Sequence, residues 1–171
     1  MNKLIAGTSI ALTLVVSMGF GPALARGEEP IGENMMQSAN FIVPWKGMTG
    51  FDRRTFTSGQ WSGKKASAKI LKTAVGDLNG DKVDDGAAIY SVTRDNDTHY
   101  FLGAFVGKRG SAKQVSYVSI DSEANVGDLS ISSGNVTVTL KHMSDSEQAP
   151  ALKQTFEYTL EKGKKLKSIS G

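Results

Sequence analysis

Nine consecutive residues hold the densest set of oxygen donors in the chain: Asp77-Leu78-Asn79-Gly80-Asp81-Lys82-Val83-Asp84-Asp85, set between two apolar runs. A hard divalent cation such as Ca2+ takes roughly six to eight oxygen ligands, so a short loop binds it by presenting side-chain and carbonyl oxygens at alternate positions around one point. With Asp77 as position 1, side-chain oxygens fall at 1 (Asp77), 3 (Asn79), 5 (Asp81) and 9 (Asp85), and the Val83 carbonyl at 7. An EF-hand is disfavoured, because position 12 is Ala88, where that loop carries a bidentate glutamate, and no helical periodicity flanks the stretch. The competing reading is a tight Asn79-Gly80 turn with solvated aspartates. It accounts for the Asn-Gly pair but leaves Asp77, Asp81, Asp84 and Asp85 crowded without a counter-charge.

The pattern Asp-x-Asn-x-Asp-x-x-x-Asp between two strands is similar to the calcium loops of FG-GAP and integrin-type β-propeller repeats. The longer string GDLNGDKVDDGAAIY, with the hairpin after it, resembles a group of small exported bacterial β-rich proteins of uncharacterised function. The resemblance implies Asp77, Asn79, Asp81 and Asp85 as side-chain ligands and Val83 as a carbonyl ligand of Ca2+. Lys82 departs from it, standing where such loops carry a glycine for a left-handed turn. The loop occurs once, whereas a propeller carries one per blade.

Other residues able to do chemistry are sparse. His99 and His142 are the two histidines and share no ligand spacing. No nucleophile elbow, zinc-protease helix or phosphate-cradling glycine loop is present, and a carboxylate pair assembled only in space leaves no mark in a sequence. Trp45 and Trp61, in the aromatic stretch from Phe41 to Trp61, suit either a stacking platform for a sugar or partner protein, or the plug of a small β core. Lys64-Lys65, Lys108-Arg109 and the tail lysines 162, 164, 165 and 167 suit anionic headgroups or acidic glycans, or are solvated turns.

The elements that must position these residues are strands. From Ala66 onward the apolar period is two, and runs at 68–75, 86–93, 98–106, 115–120, 126–132, 135–140, 154–160 and 165–169 are separated by turn residues. The stretch 41–61, broken by Pro44, Gly47, Gly50 and Gly59, reads as short strands joined by turns. The expectation is a mainly β domain: an antiparallel meander of about eight strands forming a sandwich or barrel-like domain, with little helix outside a leader.

That leader is residues 1–25, with Lys3, an apolar run from Leu4 to Phe20 and an Ala-x-Ala site ending at Ala25. It reads as a signal peptide, too short and too punctuated for a membrane span, and implies a periplasmic or extracellular protein. Residues 26–40 read as an N-terminal segment, either flexible or holding a helical turn or two, and 41–171 as a single β domain. With no cysteine there are no disulfides and no thiolate metal site. Loss of Lys3 lowers the formal charge from +3 to +2, too balanced for a nucleic-acid partner. The function that fits is an exported calcium-binding β domain, a non-catalytic envelope or extracellular module with a protein or glycan partner. The alternatives are a secreted hydrolase with an unmarked cleft and a small inhibitor acting through the stretch 41–61.

Overall fold

A computed structural model describes residues 28–44, 52–120, 125–142, 152–161 and 165–169. It is mainly β, with one helical turn-and-a-half, α1 (Glu33–Gln37). Three short strands follow: β1 (Asn40–Val43), β2 (Asp52–Thr55) and β3 (Gln60–Ser62). Four long ones come next: β4 (Ala66–Gly76), β5 (Asp85–Arg94), β6 (Asp97–Lys108) and β7 (Ser111–Ile120). The last four are β8 (Asn125–Ser132), β9 (Asn135–His142), β10 (Leu152–Glu161) and β11 (Lys165–Ser168). Strands β4 to β11 answer the eight apolar runs of the sequence, and β1 to β3 the aromatic stretch.

The strands form a seven-stranded sheet in the order β2-β1-β7-β6-β5-β4-β3, curled nearly into a barrel, and a four-stranded sheet in the order β11-β10-β9-β8. Among the described strands all pairings are antiparallel except one. Strand β1 runs parallel to β7, meeting it at Asn40 and Lys113, which departs from a simple meander. The contact is short, and two side chains do what a longer ladder would have done. Gln114 accepts from the Ile42 N–H, and the Tyr90 hydroxyl donates to the Ile42 carbonyl at 2.8 Å. Gln114 closes the network by donating to the Tyr90 oxygen at 3.2 Å. This is why a glutamine can be fully buried at the centre of the domain.

Strands β5 and β6 explain the two-layer core. Both are apolar on both faces, as expected of strands covered on each side. Ala88, Tyr90, Phe101 and Phe105 face the inside of the curled sheet. Ala87, Ile89, Leu102 and Ala104 face the second sheet, where Val136, Val138, Leu140, Leu160 and Leu166 meet them. Inside the curl, Phe41 stacks on Phe56 at 4.1 Å and meets Tyr90 edge-on at 5.0 Å, so these two aromatics of the 41–61 stretch pack as core, with half-buried Trp61 against that core. Trp45 lies outside the described residues.

From Glu28 the chain ahead of β1 is a strap docked across one end of the curled sheet. Ile31 and Met36 are buried in the inner core, Glu29 N–H donates to Gly107 O at 3.2 Å, and Ile31 N–H to Asp84 O at 2.8 Å. Two glycines make the room. A Cβ on Gly107 would overlap the Glu29 carbonyl, and one on Gly86 would come within 2.6 Å of the Met36 sulfur. The apolar trio Ile31, Met35 and Met36, isolated in sequence, therefore belongs to the fold.

Candidate metal centre

The acidic loop spans the gap between β4 and β5, whose ends pair at Gly76 and Asp85. Leu78 and Val83 turn inward and are buried, Leu78 among the residues between the sheets, which pins the loop to the core at two points. The polar residues between them are left to turn on one another. Asp77 accepts backbone N–H groups of Asn79 (3.2 Å), Gly80 (2.6 Å) and Lys82 (2.9 Å). Asn79 accepts from Asp81 N–H at 2.9 Å, and Asp81 from Val83 N–H at 2.8 Å. Three successive side chains at alternate positions thus each take the N–H two residues on, so the chain curls around its own side-chain oxygens. Gly80 and Lys82 make the curl possible with φ of 82° and 68°. Lys82 occupies the left-handed conformation that glycine adopts without strain.

Asp85 sits at the base of the loop, only 1% exposed, accepting Leu78 N–H at 3.2 Å. Burial pushes its carboxyl up to about 7; the Leu78 N–H opposes this, and the charges of Asp81, Glu28 and Asp77 add to it. Burial also pushes Asp77 upward, but the N–H groups of Lys82, Gly80, Asn79 and Asp81 outweigh it and hold that carboxyl below its ordinary value.

Of the residues singled out by spacing, Asp77, Asn79, Asp81 and Asp85 lie around this one loop. Val83 supplies the N–H to Asp81 and buries its side chain. Glu28 escaped the sequence reading. It arrives on the strap from 51 residues away, accepting the Asn79 amide at 3.1 Å. Its carboxyl is raised first by a hydrogen bond to Asp81, then by burial, while the Asn79 amide and the charge of Lys108 pull the other way. The nearest sequence signal was the Glu28-Glu29 pair, which carries no information about where it docks. The donor set is hard oxygen throughout and suits a divalent cation of the calcium kind. The aspartates are turned to the loop's own N–H groups, and among the described residues no three His, Cys, Asp or Glu side chains are arranged to hold a metal ion.

The other candidates stay apart from the loop. His99 pairs with Asp97 at 2.9 Å on an exposed hairpin whose tip, Asp95-Asn96, has positive φ at both residues, the pattern of a tight two-residue turn. His142 ends β9, and its side chain lies outside the described residues. Among the described residues no helix is long and apolar enough to cross a membrane.

No protein-family model matches the chain, and neither a curated protein nor a solved structure is similar to it.

Proposed function

We propose that the protein is an exported, non-catalytic β domain of the periplasm or extracellular space whose loop 77–85 is a calcium clasp. The observation that carries this reading is the convergence of Asp77, Asn79, Asp81 and Asp85 with Glu28, from two distant parts of the chain, on one loop. Asp77, Asn79, Asp81 and Asp85 would hold the ion through side-chain oxygens and Val83 through its carbonyl, with Glu28 as a sixth donor from the strap. The bound ion supplies positive charge where carboxylates repel one another, and it asks for no chemistry beyond that.

The structural consequence follows from what the loop touches. Its base begins β5, which lines both cores, and the Asp84 carbonyl holds the strap. A cation here ties the strap, the β4–β5 hairpin and the core together in a domain that has no disulfide to do so. Thermal denaturation of the purified protein in calcium and in chelator tests it. At about 100 times its dissociation constant the ion stabilises the fold by roughly 2.7 kcal/mol. Asp81→Ala is expected to keep the fold and lose that increment. An unchanged melting temperature in calcium, magnesium and chelator would remove the ligand from the account.

A further inference from the structure

We propose a second site, a cleft around Trp61 that binds an acidic saccharide. Strands β2 and β3 are the two edges of the seven-stranded sheet yet follow one another in the chain, and near-closure of the sheet brings them face to face. A turn bridged between Thr57 and Gln60 joins them, and Arg54 of β2 stands over the Trp61 ring of β3 at 5.2 Å. The indole is thereby held as a wall between two grooves.

The smaller groove, about 340 Å³, gathers Arg54, Lys64, Lys65 and Arg94, with Arg54 paired to Asp52 and Arg94 to Asp95 and the two lysines supplying the remaining positive charge. The larger, about 640 Å³, mixes apolar surface from Trp61 and Ala68 with the hydroxyl and amide groups of Thr57, Gln60 and Ser62, and has Lys69 at its side. Lys64 and Lys65, which in sequence look like one more solvated turn, are carried here by the β3–β4 connection. Gly63 in that connection packs so closely on Trp61 that an added Cβ would lie 2.9 Å from the ring. Arg54 donates from Nη2 to Asp52, while its Nε is shielded from solvent and has no partner among the described residues.

These groups share one complementary ligand. The part of the indole that lines the larger groove, where Arg54 is absent, suits the C–H face of a sugar ring, the Ser, Thr and Gln groups suit its hydroxyls, and Arg54 with the lysines suits a carboxylate or sulfate substituent. A neutral sugar leaves the basic groove unmatched, and a bare anion leaves the aromatic wall and the hydroxyl groove unused. The cleft and the acidic loop lie at opposite ends of the β4–β5 hairpin, which pairs Ala66 with Arg94 at one end and Gly76 with Asp85 at the other. The proposal therefore stands or falls independently of the cation.

The test is titration of the purified protein carrying Trp45→Phe, so that emission reports Trp61, with a heparin-derived tetrasaccharide. Its desulfated N-acetylated counterpart, inorganic sulfate and phosphatidylglycerol vesicles are the comparison arms. Calorimetry on the unsubstituted chain supplies the same ranking without relying on fluorescence. Saturable binding of the charged tetrasaccharide, at least about tenfold tighter than of the neutral one or of sulfate, is expected. The exposed pair Lys64→Gln/Lys65→Gln is expected to weaken it by roughly fivefold or more with the melting temperature unchanged, and Arg54→Gln to weaken it further. Equal binding of sulfate reduces the site to a simple anion pocket, and binding to vesicles alone assigns it to a lipid headgroup. Either of those results, no saturable binding, or indifference to the lysine pair overturns the proposal.

Discussion

Replacing Asp85 with Asn removes a buried charge while keeping an oxygen where the Leu78 N–H donates at 3.2 Å. In the fold this carboxyl titrates at about 7, against an ordinary value of 3.8. Between about pH 4 and pH 7 the unfolded chain has released a proton that the fold retains. Stability in chelator therefore falls as pH rises through this window, and the full penalty stands above pH 7. Each pH unit of displacement is worth about 1.4 kcal/mol, and relaxation of the loop and entry of water leave a measurable cost of about 2 to 4 kcal/mol. Glu28, raised as well, contributes in the same direction, whereas Asp77, lowered, acts only at more acidic pH. At pH 8 in chelator, Asp85→Asn is expected to melt higher than the parent by roughly 6 to 12 °C, at about 3 °C per kcal/mol for a domain of this size. At pH 5 most of the difference should vanish, because the parent carboxyl is then protonated. In calcium at pH 8 the order should narrow or reverse, because the ion compensates the parent's charge and the variant has lost a ligand. A parent protein that grows more stable from pH 5 to pH 8 in chelator, with a variant that melts lower throughout, would refute the reasoning.

Two further outcomes follow from the same geometry. Lys82→Gly relieves a left-handed backbone and removes a cation from the loop. It is expected to stabilise the fold by about 0.5 to 1 kcal/mol in urea titration and to tighten calcium binding measured by calorimetry. Phe41→Ala opens the centre of the aromatic cluster formed with Phe56, Tyr90 and Phe105. A loss of about 3 to 5 kcal/mol is expected in the same titration, and a loss below about 1 kcal/mol would show that this cluster is not the core.

Local pattern carried the strands. The apolar run 98–106 reads as a strand, and it is β6, which lies between the two cores. Asp95-Asn96 and Ser133-Gly134, among the turn residues that separate the apolar runs, have positive φ at both residues of each pair. The alternate spacing of Asp77, Asn79 and Asp81 is visible in the sequence, and in the structure each of these side chains takes the backbone N–H two residues on. What stayed hidden were relations between distant residues. Glu28 joins the loop only because Gly86 and Gly107 leave space for the strap, a fact no local window contains. Gln114 looks like an ordinary strand residue until β1 is seen to diverge from β7 and need its amide. Asp52 and Arg54 share a groove with Trp61, Lys64 and Lys65 only because the sheet curls until its two edge strands come together.

Isothermal titration of calcium into chelator-treated protein at pH 7.5 tests the central claim most directly, in the millimolar range where extracellular modules bind, with dissociation constants of about 10⁻⁴ to 10⁻³ M. One saturable site per chain, proton release on binding, and weaker binding in Glu28→Gln than in the parent are expected. Absence of any binding heat up to about 10 mM calcium, at two temperatures, would contradict it.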